Sequence, residues 1–477
     1  MTRGTVLVVT ALALVVALVP AATTNLPATA QQPGVKPNFV FILADDMSKA
    51  DLRYLPRTVS LLGDGGMTFE NGFVSNPLCC PSRATIMRGQ YAHNTGVWSN
   101  KAKDGGGRPA YENNGLEQDN IATRFDDAGY RTALMGKYLQ GGSDQGNTYV
   151  PPGWDRWFGV NSFKYFDYNV NDSGTLTHFG RSDHDYVTDV LMRRTKAFIG
   201  TSVAQGKPFF AYVAPGAPHS PAVAARRHRH LYDGELAPRP PSFNELDVSD
   251  KPAHISSRPL LTPEREAVID RRHEKRAETL AAVDELVEGV VGRLQEAGAL
   301  ETTYIVFTSD NGWAEGEHRR PRGKANPYEE DIRAPLLFRG PGIPPGSISN
   351  ELVLNTDYLP TFTDLAGIPV PDYVDGRSLR PLLEESSIGG WRDAILVEGR
   401  QGTWANAAPS HSGIRTAEGM KYVEYDDGFR ELYDLSVDPY ELANSHYVTP
   451  PPPLLVARLA LLKACSGEDC RDAEDGP

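Results

Sequence analysis

The sequence predicts an α/β sandwich: a large, mostly parallel central sheet flanked by helices, followed by a smaller subdomain with an antiparallel sheet. Three observations carry this reading. The apolar runs Asn38–Ala44, Pro208–Ala214 and Thr303–Ser309 are short and unbroken, as in strands buried on both faces. Helical stretches lie between them, so strand and helix alternate along the chain. After about residue 386 the character changes to short strands separated by tight turns.

In chain order, residues 31–36 are a polar linker, and Asn38–Ala44 is the first strand, ending in Asp45-Asp46. Ligands of open α/β sheets gather at the carboxyl ends of strands, so this acidic pair marks a candidate metal position. Thr58–Leu62 reads as a short helix and Met67–Val74 as a strand. The stretch Pro77-Leu78-Cys79-Cys80-Pro81-Ser82-Arg83 follows, with Pro81 suited to the first turn of a helix. Backbone N–H groups at such an end favour an anion. Asn120–Ala128 fits a helix stopped by Gly129, and Thr132–Met135 a strand that delivers Lys137. Residues 141–182 are rich in Gly, Asn, Asp and aromatics and read as loops with short strands; Asp183–Phe198 reads as a helix. Pro208–Ala214 leads into Pro215-Gly216-Ala217-Pro218-His219. Residues 220–262 carry many prolines and basic residues and no period, the composition of an irregular insertion of the lid type.

Thr262–Ala297 is the longest helix expected. Leu280, Val283, Val287, Val290 and Leu294 recur at three- and four-residue steps, giving one apolar stripe to face the sheet. Gly298 ends it. Thr303–Ser309 closes in Asp310-Asn311-Gly312; Pro335–Phe338 is a further strand and Asp357–Leu365 a helix. In the C-terminal part, Ile395–Glu398, Gly413–Arg415 and Met420–Tyr425 read as strands. Asp426-Asp427-Gly428 turns a hairpin, and Leu454–Ala464 is a terminal helix.

With 477 residues, 40% hydrophobic and 23% charged, the chain can bury a large core. A formal net charge of −13 excludes nucleic acid as an expected partner, since that binding needs a basic footprint. The first thirty residues read as a secretory signal: Arg3, an apolar run from Thr5 to Val19, and the small-x-small site Ala28-Thr29-Ala30. That run is short for a membrane span, so export without stable membrane insertion is expected. Cys465 and Cys470 sit close enough in the tail of an exported protein to expect a local disulfide. Cys79 and Cys80 are adjacent, and a vicinal bridge there would be strained. No second thiol or histidine pair lies at zinc spacing.

Asp45, Asp46, Asp310 and Asn311 are oxygen donors, a set that suits a hard cation such as Ca²⁺ or Mg²⁺. Taken singly, the first pair also reads as a helix cap and the second as a turn. A thiolate would be a mismatched further ligand, because soft sulfur prefers soft metals.

The pattern Cys79-Cys80-Pro81-Ser82-Arg83 resembles the signature of the formylglycine-dependent sulfatases, with Cys79 as the residue oxidised to formylglycine. A second signature of that family is matched by Gly129-Tyr130-Arg131-Thr132-Ala133-Leu134-Met135-Gly136-Lys137-Tyr138-Leu139. The resemblance runs from about Asn38 to about Cys470. It is strongest toward the N-acetylglucosamine-6-sulfatase branch, through Gly136-Lys137-Tyr138-Leu139 and Ala217-Pro218-His219-Ser220-Pro221. It implies an alkaline-phosphatase-like sandwich, with a catalytic domain over 36–385 and a C-terminal subdomain over 386–470. It also implies a metal site of Asp45, Asp46, Asp310, Asn311 and the modified Cys79, with Ca²⁺ favoured over Mg²⁺.

The same resemblance gives Arg83 the hydrated aldehyde and metal cluster, Lys137 the formylglycine or sulfate oxygens, Lys324 the sulfate and the leaving oxygen, and His219 or Lys324 the proton for the leaving alcohol. Read without it, Lys324 is a loop lysine beside Arg319, Arg320 and Arg322, and His219 a core histidine. One departure stands out: many sulfatases carry a histidine where this chain has Leu139. The base for sulfate release is therefore unassigned, with His318 and His93 as candidates. The implied mechanism is covalent: a hydrate hydroxyl attacks sulfur, the alcohol leaves, and sulfate is then expelled to regenerate the aldehyde.

The expected activity is hydrolysis of sulfate monoesters, on sulfated sugars of the glucosamine 6-sulfate kind. An arylsulfatase of small aryl sulfates and a phosphate or phosphonate ester hydrolase are the alternatives. A binding protein with a decayed site should have lost Cys79, Arg83 or a metal acid, and none is lost. A formylglycine-generating enzyme is the partner expected during maturation. The basic insertion, with Arg226, Arg227, Arg229 and Arg239, is either a contact for an anionic polysaccharide or a solvated loop.

Overall fold

The computed structural model describes residues 1, 2, 4, 36–143, 145–160, 164–402 and 407–476. The signal segment assigned to the first thirty residues lies almost wholly outside them. Strand β1 (Asn38–Ala44) is followed by β2 (Met67–Phe73), β3 (Arg131–Gly136), β4 (Arg156–Val160), β5 (Tyr168–Asp172) and β6 (Thr175–Phe179). Next come β7 (Phe209–Ala214), β8 (Thr303–Ser309), β9 (Leu336–Arg339) and β10 (Ser347–Leu354). These ten form one sheet in the order β10-β2-β9-β8-β1-β7-β3-β4-β5-β6. Only β9 and β5 run against the rest, so the sheet is mostly parallel as expected.

Side-chain alternation along β1 divides the core in two. Phe39, Phe41 and Leu43 pack on one face with Phe125, Phe210, Tyr358 and Phe362. Val40, Ile42 and Ala44 pack on the other against Val190, Leu191 and the 34-residue helix Pro263–Glu296. The whole expected stripe, Leu280, Val283, Val287, Val290 and Leu294, lies in that second layer. Thr262 caps the helix, its side chain accepting from the Arg265 N–H at 3.4 Å. A strand with apolar residues at every position from Phe39 to Ala44 thus covers both faces of the sheet, which is why that run is unbroken.

The second sheet is antiparallel, β11 (Ala394–Gly399), β12 (His411–Thr416), β13 (Met420–Tyr425) and β14 (Arg430–Asp434), in that order. Its inner residues Ile395, Leu396 and Ile414 share a core with Phe73, Leu352 and Leu354 of the large sheet. Cys465 and Cys470 are disulfide-bonded, and Cys79 and Cys80 are free thiols.

Several boundaries differ from the sequence reading. Strand β10 was not expected: Ser349, Asn350 and Glu351 interrupt its apolar pattern. It is an edge strand with a register shift between Ser349 and Leu352, so only part of it must be buried. The helix expected over Thr58–Leu62 begins earlier, at Pro56, and continues as a π-helical turn over Val59–Asp64. The helix expected over Asp183–Phe198 spans Val187–Ala204 instead, after a separate turn at Asp183–Asp185. A last helix, Glu468–Asp475, extends past residue 470 and buries Glu474 against Arg392 at 3.3 Å.

The insertion over 220–262 is irregular apart from two short turns, Arg226–His228 and Ala253–Ser256. It is bonded to its surroundings along its second half. His318 N donates to Ser242 O at 2.8 Å, and Asn444 N donates to Asp250 Oδ2 at 2.7 Å. Its arginines are mostly tied to carboxylates: Arg227 to Asp189 at 2.7 Å, Arg226 to Asp183 at 3.2 Å and Arg239 to Asp270 at 2.6 Å.

Candidate active site

The carboxyl ends of β1, β8, β7 and β3 lie side by side, and each delivers part of one polar cluster. Asp45 and Asp46 follow β1; Asp310 and Asn311 follow β8; Lys137 follows β3. Adjacent parallel strands hold these ends in register: Ala44 pairs with Ser309, and Gly136 with Ala214. Backbone bonds then carry the turns onward, Asp310 N to Ala44 O at 3.2 Å and Asp45 N to Ala217 O at 3.1 Å. The second of these brings the loop after β7, with His219, against the acidic pair.

Gly136 shows why a glycine precedes the lysine. Its φ is +119°, and a Cβ there would lie 2.1 Å from the Ala214 carbonyl oxygen. That oxygen accepts from Lys137 N at 2.9 Å. Only a residue without a side chain lets the strand close this tightly on β7.

Cys79 is the first residue of a helix, Cys79–Arg88, and is wholly buried. Its Sγ lies 2.8 Å from Lys324 Nζ, 3.7 Å from Asp45 Oδ1 and 3.9 Å from Gln140 Nε2. Burial pushes its thiol up to about 11, against the pull of Lys137 and Lys324, so near neutral pH it is a protonated thiol. Cys80 points elsewhere, its sulfur accepting from Gln140 N at 2.9 Å.

Cations and carboxylates interleave around Cys79. Arg83 donates through Nε to Asp310 Oδ2 at 2.8 Å and through Nη1 to the Lys137 carbonyl at 3.0 Å; its buried Nη2 has no partner among the described residues. Lys137 Nζ donates to Asp45 Oδ2 at 2.7 Å and stands 3.6 Å from Asp310. Lys324 Nζ contacts Asp46 and lies 3.4 Å from Asn311 Oδ1. His219 Nε2 is 3.7 Å from Asp46 Oδ2. Burial alone would lift Asp46 and Asp310 and depress the two lysines. The neighbouring opposite charges win, holding both carboxyls below and both ammoniums above their ordinary ranges.

Ligand atoms of Asp45, Asp46, Cys79 and Asp310 come within 4.8 Å of one another, and all four residues are buried. With Asn311 this gives an oxygen-rich set around one sulfur, a fit for a hard divalent cation once residue 79 also carries oxygen. The Lys324 ammonium, on Asp46, Asn311 and Cys79, stands in for such a cation. All nine sequence-selected site residues therefore converge.

The two suggested bases do not join them. His318 is buried with Nδ1 on Glu245 at 2.7 Å, and burial lowers it to about 4. His93 binds Glu398 and the Cys465 carbonyl, each at 3.0 Å.

Two participants were not foreseen. Gln140 supplies the neutral amide near Cys79. Arg276, on the inner side of the long helix, donates to the Asp46 carbonyl at 2.8 Å and to Asp51 at 3.1 Å. Asp46 has a φ of +65°, a region few non-glycine residues occupy, and Arg276 helps hold it there. A lone arginine among the many charges of residues 264–276 gives no sign of this in the sequence.

Comparisons with known proteins agree with the geometry. The sulfatase family model matches residues 37–368, and the model of the N-sulphoglucosamine sulphohydrolase C-terminal region matches 316–456. The chain is 35% identical to human N-acetylglucosamine-6-sulfatase, over 91% of this chain and 86% of that one. It is 36% identical to the Drosophila melanogaster extracellular sulfatase SULF-1 homolog over 80% of this chain, but spans only 35% of that longer protein. Among solved structures, BT4656 in complex with its substrate D-glucosamine-2-N,6-O-disulfate superposes with a TM-score of 0.78 and 25% identity. That match covers 92% of this chain and 99% of the other. The chain belongs to the sulfatase family of sulfuric ester hydrolases.

Proposed function

We propose that the site hydrolyses the sulfate monoester of a sulfated sugar, a glucosamine 6-sulfate-like unit, with Cys79 working as formylglycine. The observation that carries this is the meeting of Arg83, Lys137 and Lys324 around one residue at a helix N-terminus, beside four oxygen donors. Oxidation of Cys79 supplies a hydrated aldehyde, an oxygen nucleophile where the unmodified thiol is protonated. Asp45, Asp46, Asp310, Asn311 and residue 79 would hold Ca²⁺ or Mg²⁺, whose charge activates such an oxygen.

The chain's own groups do the remainder. Arg83, Lys137 and Lys324 aim N–H groups at oxygens whose negative charge grows as the S–O bond breaks, which favours the transition state over the ground state. The free Nη2 of Arg83 is a donor kept for that purpose. His219, beside Asp46, hands a proton to the leaving alcohol. Leu139 leaves sulfate release without the histidine of other members, and the neutral Gln140 orients the oxygens of residue 79 without acting as a base.

Sulfate is favoured over phosphate by charge. Three carboxylates face three cations and one divalent ion, a balance suited to a monoanion and less generous to a dianion. The sugar assignment rests on the likeness to human N-acetylglucosamine-6-sulfatase and to BT4656 with its glucosamine disulfate. Export is part of the proposal, supported by the Cys465–Cys470 disulfide and the extracellular relative. Among the described residues, no helix is long and apolar enough to cross a membrane. A formylglycine-generating enzyme completes the set of partners.

The test is kcat/KM for matched aryl sulfate and aryl phosphate, then for glucosamine 6-sulfate. A preference for phosphate overturns the reaction. A preference for aryl sulfate with no turnover of the sugar overturns the glycan assignment alone.

A further inference from the structure

Lys324 reaches Cys79 from a loop whose backbone is held on both sides of the lysine. Before it, Ala314 and Gly323 exchange bonds, Ala314 N to Gly323 O at 2.8 Å and Gly323 N to Ala314 O at 3.1 Å. After it, Ala325 has a φ of +67°, a region that a residue with a side chain keeps only when its surroundings impose it. Asn326 closes over that strained residue. Its Nδ2 donates to the Lys324 carbonyl at 3.1 Å, and its backbone N donates to Asp331 Oδ2 at 2.8 Å. Arg320 Nη1 holds both Asp331 oxygens, at 2.9 and 2.8 Å.

With Nδ2 of Asn326 committed as a donor, its Oδ1 is the acceptor, and it faces His254 Nε2 at 2.9 Å. Burial lowers His254 to about 4, so near neutral pH the ring is neutral, with the Nε2 proton that this bond needs. His254 lies in the turn Ala253–Ser256 of the insertion. That stretch is firmly seated: Ile255 packs with Val248 and Tyr328, Arg258 Nε donates to the His254 carbonyl at 2.8 Å, and Lys251 Nζ to the Leu442 carbonyl at 2.8 Å. His254, Arg320, Asn326 and Asp331 are all buried.

We propose that Asn326 and His254 are positioning residues for Lys324, so that the insertion acts on the reaction by bracing the lysine loop. This rests on the part in sulfate ester cleavage proposed above for Lys324. A lysine ammonium rides on a flexible four-carbon stem, so it keeps one place only if its backbone is fixed. A displacement of about 1 Å is enough to take a donor off the oxygens that gain charge in the transition state. Asn326 ties the Lys324 carbonyl to an element that lies far away in sequence, and His254 keeps the Asn326 amide turned the right way.

The test is a double-mutant cycle on the mature enzyme, read as kcat on 4-nitrophenyl sulfate, for native, Lys324→Ala, Asn326→Ala and the double variant. Asn326→Ala should lower kcat about tenfold and leave KM within about twofold. In the Lys324→Ala background the same change should cost nothing further. Losses that multiply would show that Asn326 supports the fold and not the lysine, and would overturn the proposal, as would a native kcat in Asn326→Ala. His254→Ala should also lower kcat, and His254→Gln, which keeps an N–H donor for Asn326 Oδ1, should restore most of it; equal losses in the two remove His254 from the brace. Where Asn326→Ala does not fold, His254→Ala takes its place in the cycle with the same two readings. A native kcat in Lys324→Ala overturns the reading of Lys324 itself, and the brace with it.

Discussion

Lys324 Nζ lies 2.8 Å from Cys79 Sγ although 245 residues separate them. A backbone bond one residue further on fixes this approach, Ala325 N donating to Pro77 O at 3.0 Å. The loop carrying Lys324 is thus fastened to the segment that opens the Cys79 helix. Lys324→Ala should lower kcat on a sulfate ester by about a hundredfold, a loss typical of one oxyanion donor. Bound metal should be retained. An unchanged kcat would remove Lys324 from the chemistry.

Cys79 and Cys80 differ in what they face, and their variants should differ accordingly. Cys79→Ala should abolish turnover, and mass spectrometry of the tryptic peptide ending at Arg83 should find the aldehyde at Cys79. Cys80→Ala removes a core sulfur and an acceptor for Gln140 N, neither of which touches Cys79's partners among the carboxylates, and should leave substantial activity. Full activity in Cys79→Ala would sink the mechanism.

Proton donation by His219 has a signature of its own. A sugar alkoxide is a poor leaving group and needs the proton; 4-nitrophenolate does not. His219→Ala should lower kcat/KM by about two orders of magnitude on a sugar sulfate, and far less on 4-nitrophenyl sulfate. Equal losses on both would assign His219 a role other than general acid.

Asp310 contacts both Arg83 and Lys137 and belongs to the donor set. Asp310→Asn keeps the shape and removes the charge. Metal content, read by atomic spectroscopy, and rate should fall together. Thermal stability should also drop, since Arg83 is buried and loses its carboxylate partner. Undiminished activity in a metal-free preparation would rule the metal site out.

Gly136→Ala tests the backbone beneath Lys137. The added methyl meets a carbonyl oxygen at 2.1 Å in a conformation alanine resists. A stability loss of about 3 kcal/mol or more is expected, together with reduced activity as Lys137 shifts. Wild-type melting behaviour would show that the strand has room to move.

Much of this molecule was legible in its sequence because two simple periods carry it. The unbroken apolar runs of β1, β7 and β8 and the stripe of Pro263–Glu296 each answer to one burial environment. The site was legible for a different reason: strand ends converge in a parallel sheet, so Asp45, Asp310 and Lys137 need only follow strands to meet. What escaped notice lacks such a rule. Strand β10 is half-exposed at an edge, so its pattern is broken. Arg276 acts through a carbonyl oxygen, and any long polar side chain on that helix face reads the same in sequence. His318 and His93 were singled out as bases for their residue type alone; each is committed to a glutamate away from Cys79.

The complete burial of Cys79 has a temporal meaning. Behind Asp45, Lys137 and Lys324, at the base of a helix buried along its whole length, the sulfur is closed to any macromolecule once the sheet has formed. An enzyme that oxidises it must therefore meet the chain while it is still extended. Maturation then becomes a race between modification and folding. If Cys79 is the modified residue, as proposed, a host that folds this protein faster than it modifies it would accumulate a well-formed but inactive product.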